Sequence, residues 1–227
     1  MENLELFIFS ILFVENITKI IFSMPTTKIS KKEIVKIALQ EFLQQGIQSF
    51  TIKHLTELTG ISTKTVYKLF GDKTALLKTC LDTHYSRLTN ELLALNTDNE
   101  IETILNMTYH IVALEFEVNP QFYAELNTYY PNLQSEVIAT QSEVLEKFAE
   151  NIQRGIRNGS FLPEINPDVC IIACQQLYSG ITREKIYGSL RLSGPELIKN
   201  TIMIYLKGMC TPSGLQKLKQ YEQSLTK

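Results

Sequence analysis

Three glycines, Gly46, Gly60 and Gly71, most constrain what this chain can fold into. They divide the stretch from residue 31 to 72 into short periodic segments, each opened by a residue able to cap a helix. From Lys31 to Gln45 the apolar positions Ile34, Ile37, Ala38, Phe42 and Leu43 recur with helical period. Ser30, followed three residues later by Glu33, has the spacing of a capping box, and Gly46 stands where a helix-ending glycine belongs. Thr51 can cap a second helix with Ile52, Leu55 and Leu58 on one face, broken at Gly60. A third begins after Ser62 and runs through Tyr67 to Phe70. Gly71 ends it, and Asp72 can cap a fourth that carries Leu76, Leu77, Cys80 and Leu81. Isolated helices below ~12–15 residues are marginal in water, so the short segments must share a core, and Leu55, Leu58, Ile61, Val66 and Phe70 are spaced to supply it.

The rest of the chain continues in the same idiom. Glycine and proline fall between periodic segments rather than inside them, and no stretch alternates long enough to argue a sheet. The expected fold class is all-α. Helices are expected over 99–117, 131–157, 168–188 and 195–210, with a turn-rich connector at 158–167 and a polar, frayed tail from Pro212. The expected organisation is a small N-terminal domain of short helices over 24–78, a larger helical domain over 79–211 and a C-terminal tail over 212–227. Residues 1–23 hold the apolar run LFIFSILFV, too short to span a bilayer. Met24 opens a segment that reads like an ordinary start. Residues 1–23 are therefore expected to be an over-extended reading frame or an additional helix.

Two short helices joined by a tight glycine-containing turn form a helix-turn-helix arrangement. In such a motif the second helix enters the major groove, its first residues nearest the base edges. The shared core leaves Thr63, Lys64, Thr65, Tyr67 and Lys68 on outer faces. Lys64 is suited to guanine O6/N7 and the threonine methyls to thymine. Tyr67, Lys68 and Lys73 are suited to phosphates, and the helix start at Thr51 offers amides to an anion. Charge agrees with this placement. Residues 24–80 carry nine Lys and four acids, net +5, while residues 1–23 come to −2 and residues 81–227 to −5. A basic end on an otherwise acidic chain suits a local anionic partner.

The stretch TIKHLTELTGISTKTVYKLFGDKTALL resembles the DNA-binding segment of the TetR-type transcriptional regulators. The matching positions are Thr51, Leu55, Gly60-Ile61-Ser62, Thr65-Val66-Tyr67, Phe70 and Lys73, with Ala38 and Phe42 in the leading helix. The resemblance covers roughly residues 31–78. Thr56 and Thr59 stand where small alanines are usual, Lys64 where a small residue is common, and Leu69 where an aromatic is common, so base contacts cannot be copied from relatives. The resemblance implies a helical C-terminal domain that dimerises and holds a small-molecule effector, and a repressor released by that effector from a palindromic double-stranded operator. An activator, or a ligand-binding protein of the same fold without operator binding, are the alternatives.

Residues 168–188 and 195–210 are apolar over wide arcs and are expected to form a homodimer interface. The candidate pocket lining is Met107, His110, Phe116, Phe122, Tyr123, Tyr129, Tyr130 and Tyr178, a mixture of apolar bulk and phenol hydroxyls. No nucleophile elbow, phosphate loop or zinc-protease motif occurs, so no enzyme, cofactor or metal site is expected. The four cysteines form no CxxC pair and suit a reducing, cytoplasmic compartment.

Overall fold

The computed structural model describes residues 29–224. The expectation for residues 1–23 lies outside them. The regular secondary structure of the described residues is helical, apart from one isolated antiparallel bridge between Phe161 and Cys210.

The N-terminal helices follow the capping logic of the sequence. Helix α1 (Lys31–Gln45) opens on Ser30 with both halves of the capping box formed. Helix α2 (Ile52–Thr59) is capped by the Thr51 side chain, α3 (Thr63–Phe70) by Ser62, and α4 (Lys73–Ala94) by Asp72. Gly60 takes a left-handed conformation, φ 69°, in the turn between α2 and α3, a geometry that costs a residue with a Cβ more than it costs glycine. Leu55, Val66 and Phe70 are buried against Ile34, Ala38, Phe42 and Phe50, and Ile61 is half-buried beside them. Leu58 departs from the expected core: it is 44% exposed. An eight-residue helix lying on α1 can bury only a narrow stripe, and Leu55 occupies it.

The N-terminal helices do not keep a core of their own. A single buried cluster runs from α1 and α4 into α5 (Glu100–Glu115), α6 (Pro120–Tyr129), α7 (Pro131–Thr140) and the start of α8 (Ser142–Arg157). The boundary expected near residue 78 thus falls inside α4, which runs without interruption from Lys73 to Ala94. A second cluster joins α5 and α8 to α9 (Pro167–Thr182), α11 (Ile202–Met209) and α12 (Pro212–Ser224). A third packs α10 (Gly194–Asn200) against Val112 of α5.

Four sequence expectations need correction. The helix expected over 131–157 is two, broken at Gln141. The Thr140 carbonyl there accepts from Thr89 Oγ1 of α4 at 3.3 Å, and the break lets α7 lie on α4 while α8 crosses α5 and α9. The helix expected over 168–188 ends at Thr182, where Arg183 turns inward and Ile186 folds back over Gly180. The helix expected over 195–210 is interrupted at Thr201, whose hydroxyl donates to the Leu197 carbonyl at 2.6 Å, so that α10 and α11 follow different packing partners. The tail is an ordered helix with Leu218 and Tyr221 buried.

A buried polar knot fixes that tail. Glu100, fully buried, accepts hydrogen bonds from Ser160 Oγ and from Lys217 Nζ, the latter at 2.8 Å, and Lys217 also reaches Ser160 Oγ at 2.8 Å. Burial alone would raise the Glu100 pKa, but the Lys217 and Ser160 hydrogen bonds outweigh it and hold the carboxyl at about 2. Gly214 lies so close to the Ser160 carbonyl that a Cβ there would stand 2.0 Å from it.

Candidate nucleic-acid interface and interior cavity

At the N-terminal end, α3 turns Val66 and Phe70 inward and leaves Thr63, Lys64, Thr65, Tyr67 and Lys68 exposed, Tyr67 at 50%. Lys64 and Lys68 have no carboxylate partner within 4 Å among the described residues, so their charges are free for an outside anion. Thr65 is less free: its hydroxyl pairs with Ser62 Oγ at 2.9 Å in the helix cap, leaving chiefly its methyl to face outward. Thr51 is exposed, but its hydroxyl is spent on the His54 N–H.

Lys73 differs from its sequence expectation. Its ammonium donates to the Phe50 carbonyl at 2.7 Å and the Gln48 carbonyl at 3.4 Å. It is half-buried, and burial lowers its pKa, with the nearby Glu125 carboxylate acting the other way. The lysine ties the start of α4 to the loop that delivers Thr51 to its cap position.

The same loop is held from the other side by the α5–α6 corner. Asn119 donates from its backbone N–H to the Leu43 carbonyl at 2.9 Å and from its side chain to the Gln44 carbonyl at 3.1 Å, satisfying the end of α1. Glu125, buried on α6, accepts the Gln48 N–H at 2.8 Å and the Gln121 side chain at 2.7 Å. Gly46 permits this approach: a Cβ there would sit 3.0 Å from Glu125 Oε2, and its φ is 85°.

Beyond the corner lies a cavity of about 360 Å³, walled by α4, α5, α7, α8, α9 and α11. Tyr85, Leu88, Thr89 and Leu92 of α4 form one side, with Phe148 and Ile152 of α8, Ile104 and Ile111 of α5, and Ile171 and Leu206 around the rest. Tyr178 and Arg183 border it at the end of α9, and Gln141 borders it at the α7–α8 break. The volume falls within the ~300–1,000 Å³ usual for small-molecule sites. One α4 helix therefore carries Lys73 at the DNA-binding end and wall residues of the cavity further along.

The cavity set is not the set expected from sequence. Tyr178 borders the cavity. Met107 and Phe122 are buried in the first core cluster, and Tyr130 packs on it half-buried. Tyr123 and Phe116 pack beside Arg183 and Lys185 respectively. His110 pairs with Glu91 at 3.1 Å, and Tyr129 is 61% exposed. Position within a periodic segment says that a residue is inside, not which void it faces. Arg183, Gln141 and the buried Glu115 carry no sequence signal: an arginine after a helix and a glutamine in a helical run read as solvated.

Arg183 and Gln141 border the cavity, and Glu115 lies behind them. Glu115, fully buried, accepts from the Tyr178 hydroxyl and lies 3.8 Å from Arg183 Nε. The Arg183 guanidinium sits 5.1 Å over the Tyr123 ring and 5.6 Å over the Tyr178 ring. Burial, and then the Glu115 carboxylate, push the Tyr178 phenol well above its ordinary range, so it remains a protonated donor. Lys185, at φ 48°, anchors the following turn by donating to the Phe116 carbonyl at 2.5 Å.

Comparison with known proteins agrees with this geometry. Residues 34–80 match the family model of bacterial regulatory proteins, tetR family. No curated protein matches the chain. Among solved structures, the described fold is similar to a TetR-family transcriptional regulator from Cytophaga hutchinsonii, with TM-score 0.64, 15% identity, and 82% of this chain and 99% of that one covered. It is similar to reduced NemR from E. coli, with TM-score 0.64, 18% identity and 79% and 96% coverage. It is also similar to the TetR-family protein CprB from S. coelicolor A3(2), with TM-score 0.63, 17% identity and 86% and 96% coverage. Among the described residues no helix is long and apolar enough to cross a membrane.

Proposed function

We propose that this chain, whose residues 34–80 match the family model of bacterial regulatory proteins, tetR family, is a dimeric repressor that leaves a palindromic operator when a small molecule enters its cavity. One observation carries the reading. The helix that frames the DNA-binding end is the same helix that walls a ligand-sized cavity, through Tyr85, Leu88, Thr89 and Leu92. A ligand that favours one placement of α4 changes the separation of the two recognition helices, and it does so only to the extent of its differential affinity for the two placements. In this reading Thr63 and Lys64 meet base edges, and Tyr67 and Lys68 meet phosphates.

Exposed apolar side chains support the dimer. Val169 and Ile172 on α9 and Ile204 on α11 are 60%, 59% and 61% exposed, while Leu197 and Ile198 of α10 are buried within the chain. The subunit interface is therefore assigned to α9 and α11 rather than to the whole of 168–188 and 195–210. A two-fold dimer spaces its recognition helices about one DNA turn apart, ~34–36 Å or a little more.

The test is a fluorescence-anisotropy titration against the DNA upstream of the chain's own gene and against random DNA, at several salt concentrations. The expected result is specific, salt-dependent binding by a dimer. Equal weak binding to both DNAs and to fragments selected from the whole genome would refute the operator reading.

A further inference from the structure

We infer that the cavity takes an acidic amphiphile, a carboxylate on a single apolar chain, with its head group at Arg183 and its tail along α4 and α8. The inference rests on the reading that this cavity is the effector site, and it names the class of molecule that site accepts.

The argument starts from the charges in the wall. Among the described residues bordering the cavity there is no Asp, Glu or Lys, and Arg183 is the single formal charge. Glu115, its partner, does not border the cavity. The Arg183 Nε is buried and has no hydrogen-bond partner, since Glu115 at 3.8 Å is beyond hydrogen-bonding distance. A buried guanidinium with an open donor is well matched to a carboxylate, which accepts two of its N–H groups in parallel.

The other hydroxyls of the wall point to the same end. Thr89 donates to the Thr140 carbonyl, Thr108 to the Ile104 carbonyl at 2.7 Å, Tyr178 to Glu115, and Ser179 to Glu184 at 2.9 Å. They are already satisfied and offer a ligand little. The Gln141 side-chain amide is also buried without a partner. Among the described residues bordering the cavity, the buried side-chain donors without a partner are thus those of Arg183 and Gln141, while the long walls of Leu88, Leu92, Phe148 and Ile152 are apolar. A ligand with polar groups spread along its length would leave them unpaired against those walls. A ligand with one polar head would not.

The head-group position also explains how occupancy would be felt. The Arg183 guanidinium lies over Tyr123 of α6, and α6 holds the loop before α2 through Glu125. A carboxylate that draws Arg183 toward the cavity loosens its stacking on α6.

The test is calorimetric titration of the full-length chain, without DNA, with decanoate, 1-decanol and decylammonium below their micellar concentrations. Decanoate is expected to bind roughly tenfold tighter than the alcohol, and the ammonium most weakly. Arg183→Met is expected to level decanoate with decanol. Ile171→Trp, which fills the cavity and leaves Arg183 intact, is expected to weaken all three while keeping their order. Because Arg183→Met could disturb the fold, Arg183→Lys, which keeps the charge and loses the parallel pair of N–H groups, serves as the second variant, and in it decanoate is expected to lose affinity while decanol does not. Equal binding of decanoate and decanol by the native chain overturns the inference, as does a preference for the ammonium or no binding of any probe. Decanoate binding that leaves operator affinity unchanged refutes the regulatory reading instead and leaves the ligand class standing.

Discussion

Replacing Lys73 with Met separates two roles that a lysine at the start of α4 could play. In the structure its ammonium donates to the Phe50 carbonyl at 2.7 Å and more weakly to the Gln48 carbonyl at 3.4 Å, and lies 5.9 Å from the centroid of the Phe50 ring. A hydrogen bond from a charged donor is worth ~1.5–3 kcal/mol. Lys73 is only half-buried, and methionine no longer has to desolvate a charge. The expected net loss is therefore at the lower end, about 1–2 kcal/mol. Methionine keeps most of the stem, so packing changes little. Urea unfolding of the variant should show a lower midpoint with an unchanged slope. Operator affinity should fall by the same factor at every salt concentration, because the loop carrying Thr51 is less well held while no phosphate contact has been removed. Lys68→Met is the contrast. Lys68 is exposed and unpaired, so unfolding should be unaffected, and the slope of log affinity against log salt should become shallower by about 1. A Lys73→Met protein with native urea stability and a salt slope reduced by about 1 would refute the loop-anchoring role and make Lys73 a phosphate contact.

Lys64→Ala should change which operator bases are preferred while random DNA is bound nearly as before; an equal loss on both would rule out a base contact. Glu125→Gln should accelerate hydrogen exchange at the Gln48 amide, roughly tenfold for ~1.4 kcal/mol, and unchanged protection would show that this carboxylate does not hold the loop. The Glu100 carboxyl lies at about 2 in the folded chain, below its ordinary 4.5. Its contribution is thus complete above 4.5 and is lost as pH falls toward 2. Glu100→Gln should destabilise the chain at neutral pH by about 3 kcal/mol and flatten the acid limb of its urea midpoint. An acid limb identical to that of the native chain would contradict this. Ile172→Glu combined with Ile204→Glu should convert the proposed dimer to monomer in sedimentation velocity without lowering helix content. A dimer that persists would move the interface off α9 and α11.

Local features of the sequence were sufficient for the N-terminal helices. Ser30 with Glu33, Thr51, Ser62 and Asp72 act on amides three residues away, and Gly60 relieves a steric conflict within its own residue. Such effects need no distant partner, so α1 to α4 start where the sequence says. The exposed positions on α3 were legible for the same reason: an eight-residue helix has few ways to turn Val66 and Phe70 inward. What failed depended on contacts between residues far apart. The breaks at Gln141 and Thr201 lie within unbroken helical patterns and are settled by which neighbour each half packs on. The tail reads as polar because its order comes from Lys217 meeting Glu100 and Ser160, residues 117 and 57 positions away. Lys73 is indistinguishable in sequence from a phosphate-binding lysine until the Phe50 carbonyl is placed beside it. Of the expected lining Tyr178 alone borders the cavity, because a void is defined by what six helices leave unfilled, and periodicity reports only that a side chain points inward.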